Sequence, residues 1–534
     1  MTLRRYPERR THAALLASVL GLAGCTVGPD FATPTTPLAE SSDYLDTGLT
    51  VRRAGRLLAR TTEAEPDVAW WQAFRDPVLS QLEDRVAAQN LDVQTATARL
   101  FESRAQLGAA AAAGLPTLNG QGSAYRQQFS KNGTIGLLSN SLGSLGGGTG
   151  GGNPTAPLTN GFESYTLGFD ASWELDLWGK VRRSVESAQA QADASAEQRR
   201  DALVSSQAEL ARDYVQLRGT QELIRIDLAN IQVNEQILDV VRVRQQKGLV
   251  TGLDTANAAQ QVEAIKAQLP QLQQQEIQQI NAISLLLGEP PLALSQELVT
   301  GRSIPPVPPR VPIGVPSSLV LRRPDIRRAE ANLHAAVAEI GVAEAQFFPS
   351  VTLTGSPTVN AVDPGKLFRG SSLQYMNIGP SISIPLFEGG RLKSNLVLQR
   401  ARQQEAAIAY QKAVLQGWHD VVNALASLRG DEARRGRLAR QVADARQVLA
   451  LSRARYNQGV EIFTTVLQAS QTVLQAETNL SQATAAISTD FVALSKALGG
   501  GWETTFPGGR TPPLSLEKVG IPVSDIVHEA SVGR

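Results

Sequence analysis

One cysteine, Cys25, stands among the 534 residues. A lone thiol excludes an intrachain disulfide framework and any cysteine metal cluster. Histidine is almost as scarce: His12, His334, His419 and His528 lie far apart with no ligand spacing. Neither sign of charge prevails, with 51 basic and 50 acidic residues. A nucleic-acid partner is excluded on that ground, because such a binder carries a strong basic excess. Aromatics make up only 5%. Beyond the N-terminus no apolar run reaches about 18 residues, so no membrane-spanning helix is expected there.

What is abundant is a helix-forming mixture of Ala, Gln, Leu and Arg. It is preceded by a different kind of segment. Arg4, Arg5, Arg9 and Arg10 form a positive region, and Ala13 to Ala23 is an apolar stretch of export-signal length. Its end, Leu22-Ala23-Gly24-Cys25, resembles the bacterial lipobox, where the chain is cut before a cysteine that takes lipid. Residues 1–24 are then a lipoprotein signal peptide. Thr26 follows in place of the aspartate that retains such lipoproteins in the inner membrane, so the outer membrane is the implied destination. Each acyl methylene adds about 0.8 kcal/mol of membrane affinity.

The chain is one unit written twice. At an offset of 233, as from Asp92 to Asp325, Ala96, Leu100, Gly108, Pro116 and Gly122 match Ala329, Leu333, Gly341, Pro349 and Gly355. At an offset of 211, Gly179, Gly248, Ala258, Leu269 and Gly288 match Gly390, Gly459, Ala469, Leu480 and Gly499. The first copy is therefore longer between Gly122 and Gly179. The Gly- and Ser-rich run from Ser139 to Asn153 lies in that interval and reads as an exposed loop. It lacks the preceding strand and following helix of a phosphate-binding loop.

Lys180 to Lys247 holds no proline and one glycine, Gly219. Leu203, Leu210, Leu217, Ile224, Ile231 and Leu238 recur there every seventh residue. The second copy repeats the pattern at Val414, Val421, Leu428, Arg435, Val442 and Leu449, apolar except at Arg435. A sustained heptad predicts helices that supercoil around neighbours. A helix of that length reaches roughly 100 Å, so a coiled-coil scaffold or a helical tube fits and a compact globule does not. The strands favour the tube. Tyr165, Leu167, Phe169, Ala171, Trp173, Leu175 and Leu177 alternate with Ser164, Thr166, Asp170, Ser172, Glu174 and Asp176, the pattern of a barrel strand between lipid and water. Val351 and Leu353 alternate with Thr352 and Thr354. Met376, Ile378, Ile382 and Ile384 alternate with Asn377, Ser381 and Ser383. A strand after Pro116 has a less clear face. Four strands cannot close a membrane barrel alone, and an open edge in lipid leaves backbone groups unsatisfied. Three chains would supply about 12 strands, within the workable range.

Several strings are similar to those of the TolC family of outer-membrane efflux proteins, lipoprotein branch: Leu321-Arg-Arg-Pro-Asp-Ile-Arg-Arg-Ala-Glu330, Phe347-Phe348-Pro349-Ser350, Trp70-Trp71-Gln-Ala-Phe74, Trp173-Glu-Leu-Asp-Leu-Trp-Gly-Lys180, Pro385-Leu-Phe-Glu-Gly-Gly-Arg391 and Leu286-Leu-Gly-Glu-Pro-Pro291. The resemblance runs from about Cys25 to Trp502. It implies an α+β membrane protein: a long α-helical coiled-coil periplasmic tunnel below a 12-stranded β-barrel shared by a homotrimer, four strands per chain. The expected organisation is an anchor and equatorial segment (25–75), repeat 1 (76–291, external loop 132–162), a Pro-rich equatorial linker (292–318), repeat 2 (319–502, external loop 361–372) and an equatorial tail (503–534). Pro270 should bend its helix.

The resemblance also implies the role of passive exit duct for drugs and small toxic compounds in a tripartite efflux pump. The partners would be outer-membrane lipid, a periplasmic adaptor protein and an inner-membrane transporter of the proton-driven RND class. The same fold could serve protein secretion or metal export. Apart from covalent lipid on Cys25 no cofactor is expected, and no enzyme: His419 and Asp420 are helix neighbours pointing different ways, without a nucleophile motif. The helix pairs turn at Gly248, Leu249, Val250, Thr251 and at Gly459, Val460, which would contact the adaptor. Asp254 and Tyr456 occupy the places of a hydrogen-bonded gate pair. Near them Glu461, Thr465 and Gln468 depart from the family's basic and acidic gate residues. Any cation preference would then rest on Asp254 and Glu461. Arg322, Arg323, Asp325, Arg327 and Arg328 read as structural, around a helix start at Pro324.

Overall fold

A computed structural model describes residues 26–35, 61–62, 64–128, 161–314 and 317–506, with positions 130, 133, 134 and 137. Cys25, the signal segment, the Gly-rich run and residues 507–534 lie outside the described residues. Two compact bodies divide the chain. One holds residues 26–32, 104–190 and 334–405; the other holds 33–103, 191–333 and 406 onward.

The first body carries an antiparallel sheet in the order β1 (Thr117–Gln127), β2 (Phe162–Leu175), β3 (Ser350–Ala361), β4 (Leu373–Ser383). Backbone register aligns the alternating side chains into one apolar and one polar face. Trp173 lies opposite Leu353, Leu167 opposite Val359, and Leu118 opposite Ala171. On the other face Ser172 meets Thr354, Ser356 donates to Asp170 at 2.6 Å, and Asn360 donates to Thr166 at 2.9 Å. Leu167, Phe169, Trp173, Leu353, Ile378 and Ile382 are all exposed.

Three details differ from the sequence expectation. Phe162 and Ala361, both placed in loops, open β2 and close β3, and the alternation of β2 stops at Leu175, short of Leu177. The face of β1 is legible once paired, because Gly120 and Gly122 sit opposite Phe169 and Leu167. Their missing side chains had hidden the alternation. In β4 a register shift between Thr354 and Ser356 sets position 376 opposite Ser356 and moves the apolar positions from 380 and 382 to 373 and 375. Met376 is thus out of phase with Ile382, since a bulge reverses the alternation. Two short 3-10 turns, Pro364–Lys366 and Gly370–Ser372, connect β3 to β4 within the expected external loop.

The second body is helical, and stretches of its helices (104–112, 180–190, 334–345 and 391–405) belong to the first body. Short α1 (Pro77–Gln89) and α2 (Leu91–Ala112) precede β1. The long helices are α3 (Lys180–Gln246) with α4 (Gly252–Leu286), and α6 (Arg391–Asn457) with α7 (Phe463–Ala497); α5 (Pro324–Ala345) precedes β3. Both long first helices have 67 residues, as a duplicated unit requires. The heptad positions Leu203, Leu210, Leu217, Ile231 and Leu238 are buried, as are Val414, Val421, Leu428 and Val442. Each such side chain contributes about 1.5–3 kcal/mol on burial. Arg435, the polar heptad position, is exposed and reaches Thr484. α4 continues through Pro270 as one helix. A further core gathers Trp70, Trp71, Phe74, Leu79, Tyr214, Leu298, Val311, Ile313 and Phe491, so the N-terminal segment and the Pro-rich stretch pack on the long helices. No helix among the described residues is long and apolar enough to cross a membrane.

Candidate gate and helix tips

Each helix pair turns in the same way. Gly248 adopts φ +69° and Gly459 φ +77°, a conformation that costs glycine nothing. Gly248 N–H donates to Gln245 O and Leu249 N–H to Arg244 O, both at 2.9 Å; Gly459 N–H donates to Tyr456 O and Val460 N–H to Arg455 O, both at 3.1 Å. These paired bonds form a Schellman motif, which satisfies the last carbonyls of the incoming helix. Leu249 and Val460 follow the glycine and are 70% and 62% exposed. Val250 packs inward on a cluster of Leu238, Val241, Val262, Tyr456, Phe463 and Val466.

The outgoing helices are capped differently. Asp254, three residues after Thr251, accepts from the Thr251 N–H at 3.1 Å and from its hydroxyl at 2.9 Å, a carboxylate reaching back over the first turn. Shifted by 211, Thr251 becomes Ile462 and Asp254 becomes Thr465. Isoleucine cannot cap. Glu461 takes over, accepting from Thr465 Oγ1 at 3.1 Å and from Ile462 N–H at 3.3 Å, with Arg455 at 3.6 Å. Gln468 is exposed one turn further on.

Asp254 and Tyr456 are not brought together within the chain: Asp254 is spent on its own helix, and Tyr456 is 9% exposed with no hydrogen-bond partner for its hydroxyl among the described residues. Tyr456 is instead held by Arg244, whose guanidinium lies 4.4 Å from the ring centroid and donates to Tyr456 O and Asn457 Oδ1. Sequence reasoning missed Arg244, although it shares its repeat position with Arg455. Above the tips, buried Asn230 and Asn234 reach Glu477 and Ser470 on α7. Polar groups inside a helical seam fix its register.

The residues around Pro324 form a joint. Arg323 pairs with Asp325 at 2.7 Å and Asp420 at 3.1 Å and donates to Ala497 O at 2.9 Å. Arg322 pairs with Glu503, Arg327 with Glu197 and Arg328 with Asp201.

This architecture has known counterparts. The family model described as outer membrane efflux protein matches residues 82–289 and 315–500. The pyoverdine export outer membrane protein OpmQ of Pseudomonas aeruginosa is 32% identical over 466 residues, 87% of this chain and 94% of OpmQ. SilC of Salmonella typhimurium, a probable outer membrane lipoprotein, is 29% identical over 490 residues, 91% of this chain and 98% of SilC. The structure of the outer-membrane channel OprN superposes with a TM-score of 0.78 at 30% identity, covering 90% of this chain and all of that one. The two-copy helical chain with its two-faced sheet is a member of the outer membrane efflux protein family, a channel of the Gram-negative outer membrane.

Proposed function

We propose that three copies of the chain close one 12-stranded barrel in the outer membrane, over a tunnel of their long helices. The observation that carries this is the sheet: one face apolar, one polar, and no partner among the described residues for the outer edges of β1 and β4. Lipid does not tolerate such edges. The duplication supports closure by further copies. Carried by the two repeat offsets, the pair Leu118–Ala171 becomes Val351–Ile382, which is the pairing found. Carried likewise, Ala171–Gly355 and Trp173–Leu353 set Ile382 opposite Gly122, and Ile384 opposite Gly120, of the next copy. Apolar positions then stay on one face around the ring.

The tunnel would end at the tips. Asp254 and Tyr456, with Glu461, Thr465 and Gln468, line the gate, Tyr456 from beneath the surface of its own chain. The turns of Gly248, Leu249, Val250, Thr251 and of Gly459, Val460 meet a periplasmic adaptor, with Leu249 and Val460 as their exposed apolar side chains, and an RND-type transporter supplies energy from the inner membrane. The chain itself is a passive duct with no catalytic step and no cofactor beyond lipid on Cys25. Its cargo is drugs and small toxic compounds; the likeness to OpmQ, a pyoverdine export protein, makes a compound of that kind the second cargo reading.

Accumulation of a fluorescent dye and several antibiotics in a deletion strain tests this. Accumulation that rises on deletion and falls when the gene is restored is expected. No change for any compound would shift the cargo to a pyoverdine-like compound, metal or protein.

A further inference from the structure

Residues 26–32 lie along α3 and α5 within the sheet-bearing body, held by a set of contacts made for them. Val27 N–H donates to Trp178 O at 3.1 Å. Arg183, 4% exposed, donates Nε to Val27 O and Nη2 to Gly28 O, each at 3.3 Å, and Nη2 to Asp30 Oδ1 at 2.7 Å. Its Nη1 donates to Glu186 at 2.7 Å, and Glu186 lies 2.9 Å from His334 Nε2. The His334 ring stacks on Phe31 with centroids 4.4 Å apart. The backbone fits as closely. A Cβ on Gly28 would stand 2.4 Å from Gly341 Cα, one on Gly341 2.8 Å from Arg183 Cγ, and one on Gly179 2.6 Å from Thr26 Cγ2.

The duplication supplies a control. Gly179 and Gly341 have counterparts in Gly390 and Gly108, where an added Cβ meets nothing within 4 Å in the chain. The charged residues have none: Arg183, Glu186 and His334 correspond to Ser394, Val397 and Phe101. Two backbone carbonyls and a carboxylate converging on one point need a multiply donating cation, and a serine there cannot replace it. The glycines belong to the repeat; the cationic clamp belongs to one groove alone.

We propose that residues 26–32 are a fixed strap, clamped by Arg183, Glu186 and His334 in one of the two duplicated grooves, which sets where the lipid on Cys25 leaves the protein. Thr26, the first described residue, packs on Gly179 just after β2, so lipid carried immediately before it is delivered there. The acyl chains therefore emerge at the foot of the sheet beside Trp178, whose ring stacks on Phe348 at 4.9 Å. Aromatic rings of that kind sit at membrane interfaces. Arg183 is a positioning residue here. The exit point rests on the lipoprotein reading; the clamp does not.

Hydrogen exchange on the full chain in lipid nanodiscs tests the clamp. The strap amides, Val27 N–H on Trp178 O first among them, are expected to be protected in the wild type; Pro29 has none. Arg183→Ala should speed their exchange by about tenfold or more, about 1.4 kcal/mol, while the β2 amides stay unchanged. Ser394→Ala should leave the strap as it is. Asp30→Ala with Phe31→Ala, both on the strap itself, gives the same reading without touching α3. Unprotected strap amides in the wild type, or no change in either variant, overturns the clamp. Intact mass of the N-terminal peptide separates the two readings: a peptide without acyl mass overturns the exit point, while strap protection still decides the clamp.

Discussion

The two copies of the repeat make the same joint with different chemistry. In the first copy Asn90 accepts from the Asp92 and Val93 N–H groups at the start of α2 and donates to Leu286 O at 2.8 Å, at the end of α4. In the second copy its counterpart is Arg323, which donates to Ala497 O at 2.9 Å, at the end of α7. Leu286 and Ala497 are themselves repeat partners. What is preserved is a donor aimed at the last carbonyl of a long helix, where acceptors are otherwise orphaned. What differs is charge: the arginine brings Asp325 and Asp420 with it. Geometry is thus repeated while electrostatics is free to diverge, and the copies can be told apart by experiment.

The largest effect expected is all-or-none and tests whether the repeat geometry extends between chains. Gly122→Cys combined with Ile382→Cys should form disulfide-linked trimers, since directly paired strand residues place Cα atoms about 4.5–5.5 Å apart, within disulfide range. Gly122→Cys with Ile384→Cys, two residues out of register on the same face, should not. Linking by the second pair alone, read on non-reducing gels, would keep the shared barrel but break the register. Linking by neither would count against the barrel.

Stability separates the joints next. Arg323 is 8% exposed, and Arg323→Ala strands two carboxylates beside it, at a cost of about 3 kcal/mol. Asn90→Ala loses a cap and a carbonyl contact, about 1–2 kcal/mol. Thermal melts of the full chain in detergent should rank them in that order, and the reverse ranking would undo the charge argument.

A pH effect comes third. Asp490 on α7 faces Asp431 on α6, and its pKa is raised from 3.8 to about 7, by burial first and then by the charge and hydrogen bond of Asp431. The first copy has Gln279 and Thr220 at these places, which do not titrate. The folded chain keeps a proton that the unfolded chain releases, so the pair's contribution is present at acid pH and is lost as pH rises from about 3.8 towards about 7. The wild type should therefore lose melting temperature relative to Asp490→Asn between pH 5 and pH 8. Parallel profiles would mean that the two aspartates do not share a proton.

Much of this was legible in the sequence because period and repeat are long-range patterns that single residues cannot blur. The heptad leucines of α3 and the two faces of β2 lie where the alternation places them. The bulge in β4 was not legible: it is fixed by pairing with β3, and the strand itself carries no mark of it. Arg244 beneath Tyr456 and Arg183 over the strap were hidden for another reason. Both contact residues far along the chain, and a lone arginine on a long helix looks like surface. Glu83 shows the limit most plainly. Nothing in the sequence marks it, yet it is fully buried on α1 with neither oxygen partnered among the described residues, and burial, with Asp84 close by, raises its pKa well above the ordinary range.

The smallest effect expected is at the tips, where the difference between the copies is one cap. Thr251 is a capping residue and Ile462, its counterpart, is not. Ile462→Thr should therefore stabilise the second turn by about 0.5–1 kcal/mol in thermal melts; no gain would mean that Glu461 already caps it. Asp254→Ala removes the reaching carboxylate, worth about 1 kcal/mol at a helix start, too little to unfold either pair. Its sharper readout is conductance in planar bilayers. If Asp254 belongs to the gate, Asp254→Ala raises open probability and weakens cation preference, whereas Thr251→Ala, which loosens the same helix start but keeps the charge, moves opening without moving selectivity. Identical currents in both variants would leave Asp254 with the one role its contacts display, the cap of α4.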